Sequence, residues 1–303
     1  MFENLKVWMN GKLVPWNNAN VHLLSHGFSR ASAIFDVFGI HPSPDGPVAF
    51  RMDKHLERFF RSAELLGMEI MYDKNQIKEA VAECVKANNI KRGLIKILGY
   101  YSEEAIISLV LDSKLDVAIF AIPESDEIGL DSAEPISICF SDWRKIHPAT
   151  VPVEAKACSN YLNGMLARKS AKQRGYDVGI FLTTDGYVAE GSIESLFMVK
   201  DGILKTAKLG NILRSITRMT ILELAPKIGI ETKETDIMPQ ELLAADEIFL
   251  SHTGIKVGPV DRIEDRVLSP VPGEITKKLQ KALNDIVTFK DERFKDWLQP
   301  IDI

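Results

Sequence analysis

A polar stretch, Pro123-Glu-Ser-Asp-Glu-Ile-Gly-Leu-Asp-Ser132, breaks a chain of otherwise closely spaced apolar runs. It opens on a proline and contains a glycine, residues that punctuate regular structure. The chain therefore divides into residues 1–122, a linker over 123–134 and residues 135–303. At 303 residues it is long enough for each part to bury a core of its own.

Before the break, Val7-Trp8-Met9 and Lys12-Leu13-Val14 flank Asn10-Gly11, a dipeptide that accepts the positive φ angles of a type I′ hairpin. A helix is predicted from Asp53, as N-cap, to about Leu66, because Leu56, Phe59, Phe60, Ala63 and Leu66 recur at helical spacing. A second, from Lys74 to about Asn88, buries Ile77, Val81, Cys84 and Val85. Runs at Leu94 to Tyr100, Ile106 to Leu111 and Leu115 to Ile122 predict strands, so the first domain is α+β.

After the break come a strand near Ile136 to Phe140 and a helix from about Tyr161 to Arg174, stopped by Gly175. A three-strand meander is expected from Val178 to Leu182, Tyr187 to Ala189 and Leu196 to Val199, with turns at Asp185-Gly186 and Asp201-Gly202. Helices from about Ser215 to Ile228, at Pro239 in the N1 position and from about Gly273, with a strand at Glu247 to Ser251, complete the second domain.

Charge and cysteine content exclude several classes. A formal charge of −5 with a pI near 5.8 supplies no basic footprint for nucleic acid or an anionic membrane. The opening MFENLKVWMNGK carries charges, and no apolar run approaches the roughly 20 residues of a membrane span, so neither a signal peptide nor a transmembrane helix is predicted and a cytoplasmic location is expected. Cys84, Cys139 and Cys158 are an odd count without a CxxC pair, which argues against a disulfide framework and a zinc site; no metal is expected.

Three segments place reactive groups in unusual settings. In Pro152-Val-Glu-Ala-Lys156-Ala-Cys-Ser-Asn160-Tyr161 the lysine lies among small and apolar residues just before a helix, where burial lowers an amine's pKa and makes it a nucleophile toward an aldehyde. In Val188-Ala-Glu190-Gly191-Ser192 a carboxylate follows apolar residues, and buried there it needs a cationic partner. Leu213-Arg-Ser215-Ile216-Thr217 runs into a helix whose free amides and hydroxyls suit an oxyanion such as phosphate. Singly, each also reads as an ordinary surface lysine, strand-edge acid or helix cap.

Together with Val21-His-Leu-Leu-Ser-His26, Phe50-Arg-Met-Asp-Lys-His55-Leu-Glu-Arg58, Ser141-Asp-Trp-Arg144, Gly175-Tyr-Asp-Val-Gly-Ile180, Phe197-Met-Val-Lys-Asp-Gly202 and Ala245-Asp246-Glu247-Ile-Phe249, these motifs resemble the fold-type IV pyridoxal-phosphate enzymes, and among them the branched-chain amino acid aminotransferases, from about Trp8 to Leu298. The resemblance implies a small N-terminal α+β domain and a larger C-terminal α/β domain with the cofactor between them, in a homodimer whose subunits share active sites. It further implies that Lys156 carries pyridoxal 5′-phosphate on its amine and moves the proton at the substrate Cα. Glu190 would face the pyridine nitrogen. Arg58, Ile216 and Thr217 would bind the phosphate, Thr253 would belong to the same region, and Tyr161 would meet the phenolic oxygen. By position alone Arg58 lies off the apolar stripe of its helix and reads as solvent-facing.

Some residues depart from the branched-chain pattern. Arg30 stands where those enzymes keep a tyrosine, and Lys96 where they usually carry an arginine; both cations suit a substrate carboxylate. Alternatively, Arg30 pairs with Asp36 or another acid at a dimer interface. Ile193 and Ser195 replace a glycine and an asparagine, and Ser215 another glycine. The turn Ser251-His252-Thr253-Gly254 offers backbone amides, that of Gly254 among them, for an α-carboxylate, with His252 as an assistant. The implied activity is transfer of an amino group between an amino acid, branched-chain first, and a 2-oxo acid. D-amino acid transamination or an aminodeoxychorismate lyase-like reaction is the alternative.

Overall fold

β1 (Lys6–Met9) and β2 (Lys12–Pro15) pair antiparallel about Asn10 and Gly11, whose φ angles are +46° and +84°. Asparagine tolerates the first and glycine takes the second without steric cost. In the computed structural model, which describes residues 2–125, 130–131 and 134–302, the chain continues through α1 (His26–Ser29), β3 (Ala33–Ser43), β4 (Gly46–Phe50), α2 (Met52–Leu65), α3 (Lys74–Ala87), β5 (Gly93–Tyr100) and β6 (Asp116–Pro123). A C-terminal strand, Leu298–Pro300, pairs with β4, and the antiparallel seven-stranded sheet runs from it through β4, β3, β5, β6 and β1 to β2.

The apolar stripes of α2 and α3 lay Leu56, Phe59, Ile77 and Val81 against Ile34, Phe38, Ile95 and Ile119 of this sheet. Each large side chain buried in this way contributes roughly 1.5–3 kcal/mol. Asp73 caps α3 in a full capping box with Gln76. Asp53 does not cap α2. The boundary residue is Arg51, left-handed at φ +56°, whose N–H donates to the Trp297 carbonyl at 2.7 Å and whose guanidinium lies over the Trp297 ring. Asp53 falls in the first turn, where its charge still favours the helix N-terminus.

Residues 106–111, expected as a strand, form none: Ile106, Ile107, Leu109 and Val110 are exposed. Their β-branched content fits a pleat, but no neighbouring strand pairs with them. Side-chain preference alone does not supply backbone partners.

The second compact unit holds β7 (Ile136–Arg144), α4 (Tyr161–Gln173), β8 (Val178–Leu182), β9 (Ser195–Lys200), β10 (Ile203–Ala207), α5 (Ile216–Leu224), β11 (Thr232–Thr235), α6 (Pro239–Leu243), β12 (Glu247–Ser251), β13 (Gly258–Ile263), β14 (Arg266–Val267) and α7 (Glu274–Val287). Its sheet is mixed and eight-stranded, in the order β11, β10, β9, β12, β13, β7, β8, with β14 on β13. The meander is revised: β8 pairs parallel with β7, while β9 pairs with β10 and β12. Asp185-Gly186 does turn the chain, yet Tyr187 to Ala189 makes only an isolated bridge, Val188 to Leu182. Ser215 caps α5 rather than joining it, and a 3₁₀ turn at Ala225–Ile228 follows, with Pro226 removing an amide that a continuing helix needs. The Glu247 carboxylate accepts from the amides of Ile275 and Thr276, satisfying the first turn of α7.

The compact units are residues 1–130, 155–159 and 286–303, and residues 131–154 with 160–285. This division differs from a single cut at the expected linker, because 155–159 and the C-terminus group with the first unit. Within the linker, residues 126–129, 132 and 133 lie outside the described residues. Among the described residues no helix is long and apolar enough to cross a membrane.

Candidate active site

In the first unit the site is organised around β3. Asp36 is fully buried, and its carboxylate accepts from Arg58 twice, Nε at 2.8 Å and Nη2 at 2.8 Å, and lies 2.6 Å from His55 Nδ1. The i to i+3 spacing of His55 and Arg58 on α2 turns both toward that one carboxylate. Arg58 is therefore not a solvent-facing residue. Burial alone would raise the Asp36 carboxyl, but Arg58 and His55 outweigh it and hold it well below the usual carboxylate range. Burial pushes the His55 imidazole down, with Asp36 opposing the shift and the charges of Arg58 and Lys156 adding to it.

Lys156 lies in the short segment that groups with this unit. Its carbonyl accepts from the Phe35 N–H at 3.0 Å, its N–H donates to Ser62 Oγ at 3.0 Å, and Ala157 bridges Ile34. Its Nζ stands 4.6 Å from the centroid of the Phe35 ring, and Lys96 Nζ, from β5, stands 5.4 Å from the same centroid. One aromatic ring thus attracts two ammonium groups. Arg30 is exposed and donates to the carbonyls of Ile106, at 2.8 Å, and Ser29. The pairing of Arg30 with Asp36 is excluded, since that carboxylate is sealed between His55 and Arg58.

In the second unit Glu190 follows the Asp185-Gly186 turn, and its carbonyl accepts from the Phe181 N–H. Its nearly buried carboxylate meets Lys145 Nζ at 2.6 Å and the Leu213 N–H at 3.4 Å, both on Oε1. Among the described residues no protein donor reaches Oε2. Lys145 was not singled out in the sequence. The signal available was the requirement that a buried carboxylate find a cation, which names no residue. Glu194 was also missed: it is buried, pairs with Arg168 and accepts the Ile193 N–H, which closes the loop after Glu190.

Leu213 leads into α5, where Ser215 Oγ accepts from the Arg218 N–H, and Ile216 and Thr217 form a buried first turn. Tyr161 opens α4, half-buried. In the turn after β12 the Gly254 N–H donates to His252 Nδ1 at 3.0 Å, so while that bond holds this amide is not available to a carboxylate. The Gly254 carbonyl accepts from Asp131, whose carboxylate pairs with Lys256.

The groups present fit pyridoxal 5′-phosphate. The first unit supplies an amine and a guanidinium held in place by its fork to Asp36. The second supplies a carboxylate with one oxygen anchored and one unmet, suited to a protonated ring nitrogen, and a helix N-terminus with a threonine, suited to phosphate.

The model of the family described as amino-transferase class IV matches residues 33–263. A branched-chain-amino-acid aminotransferase of Salmonella typhimurium is 32% identical over 300 residues, 98% of this chain and 97% of that protein. The branched-chain aminotransferase from Thermoproteus uzoniensis, solved with norvaline, superposes with a TM-score of 0.93 at 35% identity, covering 98% of this chain and 99% of that one. The T.th. branched-chain amino acid aminotransferase complexed with N-(5′-phosphopyridoxyl)-L-glutamate superposes at 0.92 with 28% identity over the whole of both chains.

The buried triad sets the acid limb of stability. His55, held below its ordinary value in the folded state, takes its proton more readily when unfolded, so stability falls as pH drops below about 6.5. Asp36, also depressed when folded, adds stability that is complete above its unfolded value near 3.8 and is lost as pH falls further. Asp36→Asn leaves Arg58 buried without a countercharge. Urea unfolding at pH 7 should show a loss of about 3–5 kcal/mol, and a pH series should show the step below pH 4 removed.

Proposed function

The chain belongs to the class IV aminotransferases and is a pyridoxal-phosphate-dependent enzyme, and from that premise we propose that its amino-group donors are branched-chain L-amino acids and its acceptors 2-oxo acids. The observation that carries this reading is likeness over nearly the whole chain to enzymes named for that activity. When bound, pyridoxal 5′-phosphate supplies an electron sink that labilises the substrate Cα proton. Lys156 would hold the cofactor by its amine and, when released, would move that proton. Glu190, anchored through Oε1 by Lys145, would meet the protonated ring nitrogen and balance its positive charge. Within the first unit Arg58 would be a phosphate ligand. Within the second, the first-turn amides of Ile216 and Thr217, with the Thr217 hydroxyl and Thr253, would offer donors suited to phosphate, and Tyr161 would meet the phenolic oxygen. The Thr253 and Gly254 turn would receive the α-carboxylate, the Gly254 amide being available only with its bond to His252 broken.

Lys96 and Arg30 hold the second carboxylate of an acidic amino-group partner. Two cations support this reading, Lys96 half-buried against the Phe35 ring and Arg30 exposed at the surface beside the Ile106 carbonyl, and the T.th. enzyme was solved with a glutamate adduct. With the cofactor-loaded protein, L-leucine, L-isoleucine, L-valine and L-glutamate should each discharge the cofactor absorbance, and D-alanine should not. Turnover of D-alanine alone, or release of pyruvate from aminodeoxychorismate without transamination, would replace the reading.

The assembly is a cytoplasmic homodimer. Segments 24–27 and 101–105 are joined by backbone hydrogen bonds, Ala105 to Leu24, His26 to Glu103 and Gly27 to Tyr101. Flanking them are Leu23, Phe28, Ile106, Ile107, Leu109 and Val110, all 65% or more exposed. Large apolar side chains left this exposed on two joined segments call for a cover, and the three free thiols suit a reducing compartment. Light scattering should give twice the chain mass, and Ile107→Asp with Leu109→Asp should give monomers. A wild-type monomer at micromolar concentration would refute the dimer.

A further inference from the structure

Five groups of the first unit form a closed circuit of hydrogen bonds. Arg58 donates its fork to Asp36. The Arg58 carbonyl accepts from Ser62 Oγ at 2.8 Å. The same Oγ accepts from the Lys156 N–H at 3.0 Å. The Lys156 carbonyl accepts from the Phe35 N–H at 3.0 Å, and Phe35 precedes Asp36 in β3. Ser62 is completely buried, one turn beyond Arg58 on α2. A hydroxyl can donate once and accept, and Ser62 uses both capacities here.

We propose that Ser62 is a positioning residue for the reaction: its hydroxyl ties the backbone of Lys156 to the α2 turn that bears Arg58, and so sets where the lysine amine stands. The inference rests on the reading of Lys156 as the cofactor-carrying lysine. The segment around Lys156 is held to β3 on its carbonyl side by Phe35. On its amide side the bond to Ser62 fixes the peptide plane. A side chain swings from its Cα, so a peptide plane free to rotate would displace Nζ from its place over the Phe35 ring. The circuit also explains a hydroxyl at this helix position, where Ser62 is completely buried. A serine whose only task was to return its proton to the preceding turn would leave the Lys156 amide without this acceptor.

Four variants test this in the holoenzyme: Ser62→Ala, Ser62→Cys, which keeps the volume with a weaker acceptor, Ser62→Thr, which keeps the hydroxyl, and Lys156→Ala. Ser62→Ala should lower kcat at least tenfold with KM for the amino donor within twofold. It should move the pH midpoint of the cofactor absorbance by half a unit or more and speed hydrogen exchange of peptides covering residues 155–159 at least tenfold. Ser62→Cys should fall in the same direction by a smaller factor, and Ser62→Thr should recover kcat to within threefold of wild type. If Ser62→Ala and Ser62→Cys only lower the melting temperature, with kcat, the pH midpoint and exchange at 155–159 unchanged, the hydroxyl is a packing element and the proposal is overturned. If Lys156→Ala keeps a pH-dependent cofactor band like that of wild type, the reading of Lys156 itself fails, whatever the Ser62 variants do.

Discussion

The buried carboxylate of Asp36 is the constraint on which the first unit depends. A charge taken out of water is stabilised only by close countercharges and a full set of hydrogen bonds, and Asp36 obtains them from Arg58 and His55, both on α2. That requirement fixes the rotation of α2 against β3 more sharply than its apolar stripe does, since an amphipathic helix can slide by a side chain at modest cost whereas a bidentate pair cannot. It also orients Arg58 before any ligand arrives. An arginine so held loses little freedom on meeting an anion, and preorganised charge is what a phosphate site requires.

The second unit holds its buried carboxylate with a single cation and fewer hydrogen bonds. Glu190 is held on a single oxygen by Lys145 and more weakly by the Leu213 amide. A carboxylate satisfied on one side only is poorly suited to a structural role and well suited to receiving a positive donor. Leu213 stands at the entry to α5, so the loop that anchors Glu190 also carries the helix terminus suited to phosphate. The two groups are therefore placed by one stretch of backbone, and a shift in that loop alters both together.

Local pattern revealed much of this, and failed where long-range partners decide. The stripes of α2 and α3, the Asn10-Gly11 hairpin, and β5, β9 and β12 follow from periodicity and turn chemistry and appear in the structure with small shifts at their ends. Asp53 met the local criteria for a cap, but Trp297, from the far end of the chain, holds Arg51 in a left-handed conformation and takes the boundary instead. Residues 106–111 have strand composition and no strand to pair with. Lys156, Glu190 and the α5 terminus stood out by their surroundings. Lys145, Glu194 and Ser62 did not, because each acts through a residue distant in sequence, and neither charge nor spacing announces such a partner. Arg58 looked solvent-facing for the same reason: its partner lies on another element.

Every role proposed for these residues depends on Lys156 as the residue that would carry pyridoxal 5′-phosphate. Borohydride reduction of the cofactor-loaded protein, followed by proteolysis and mass spectrometry, reads this directly. The account predicts one pyridoxyl group per chain, on the peptide containing Lys156. Modification at Lys145, Lys96 or any other lysine in its place, or none after reduction of a protein that retains the cofactor, would contradict it.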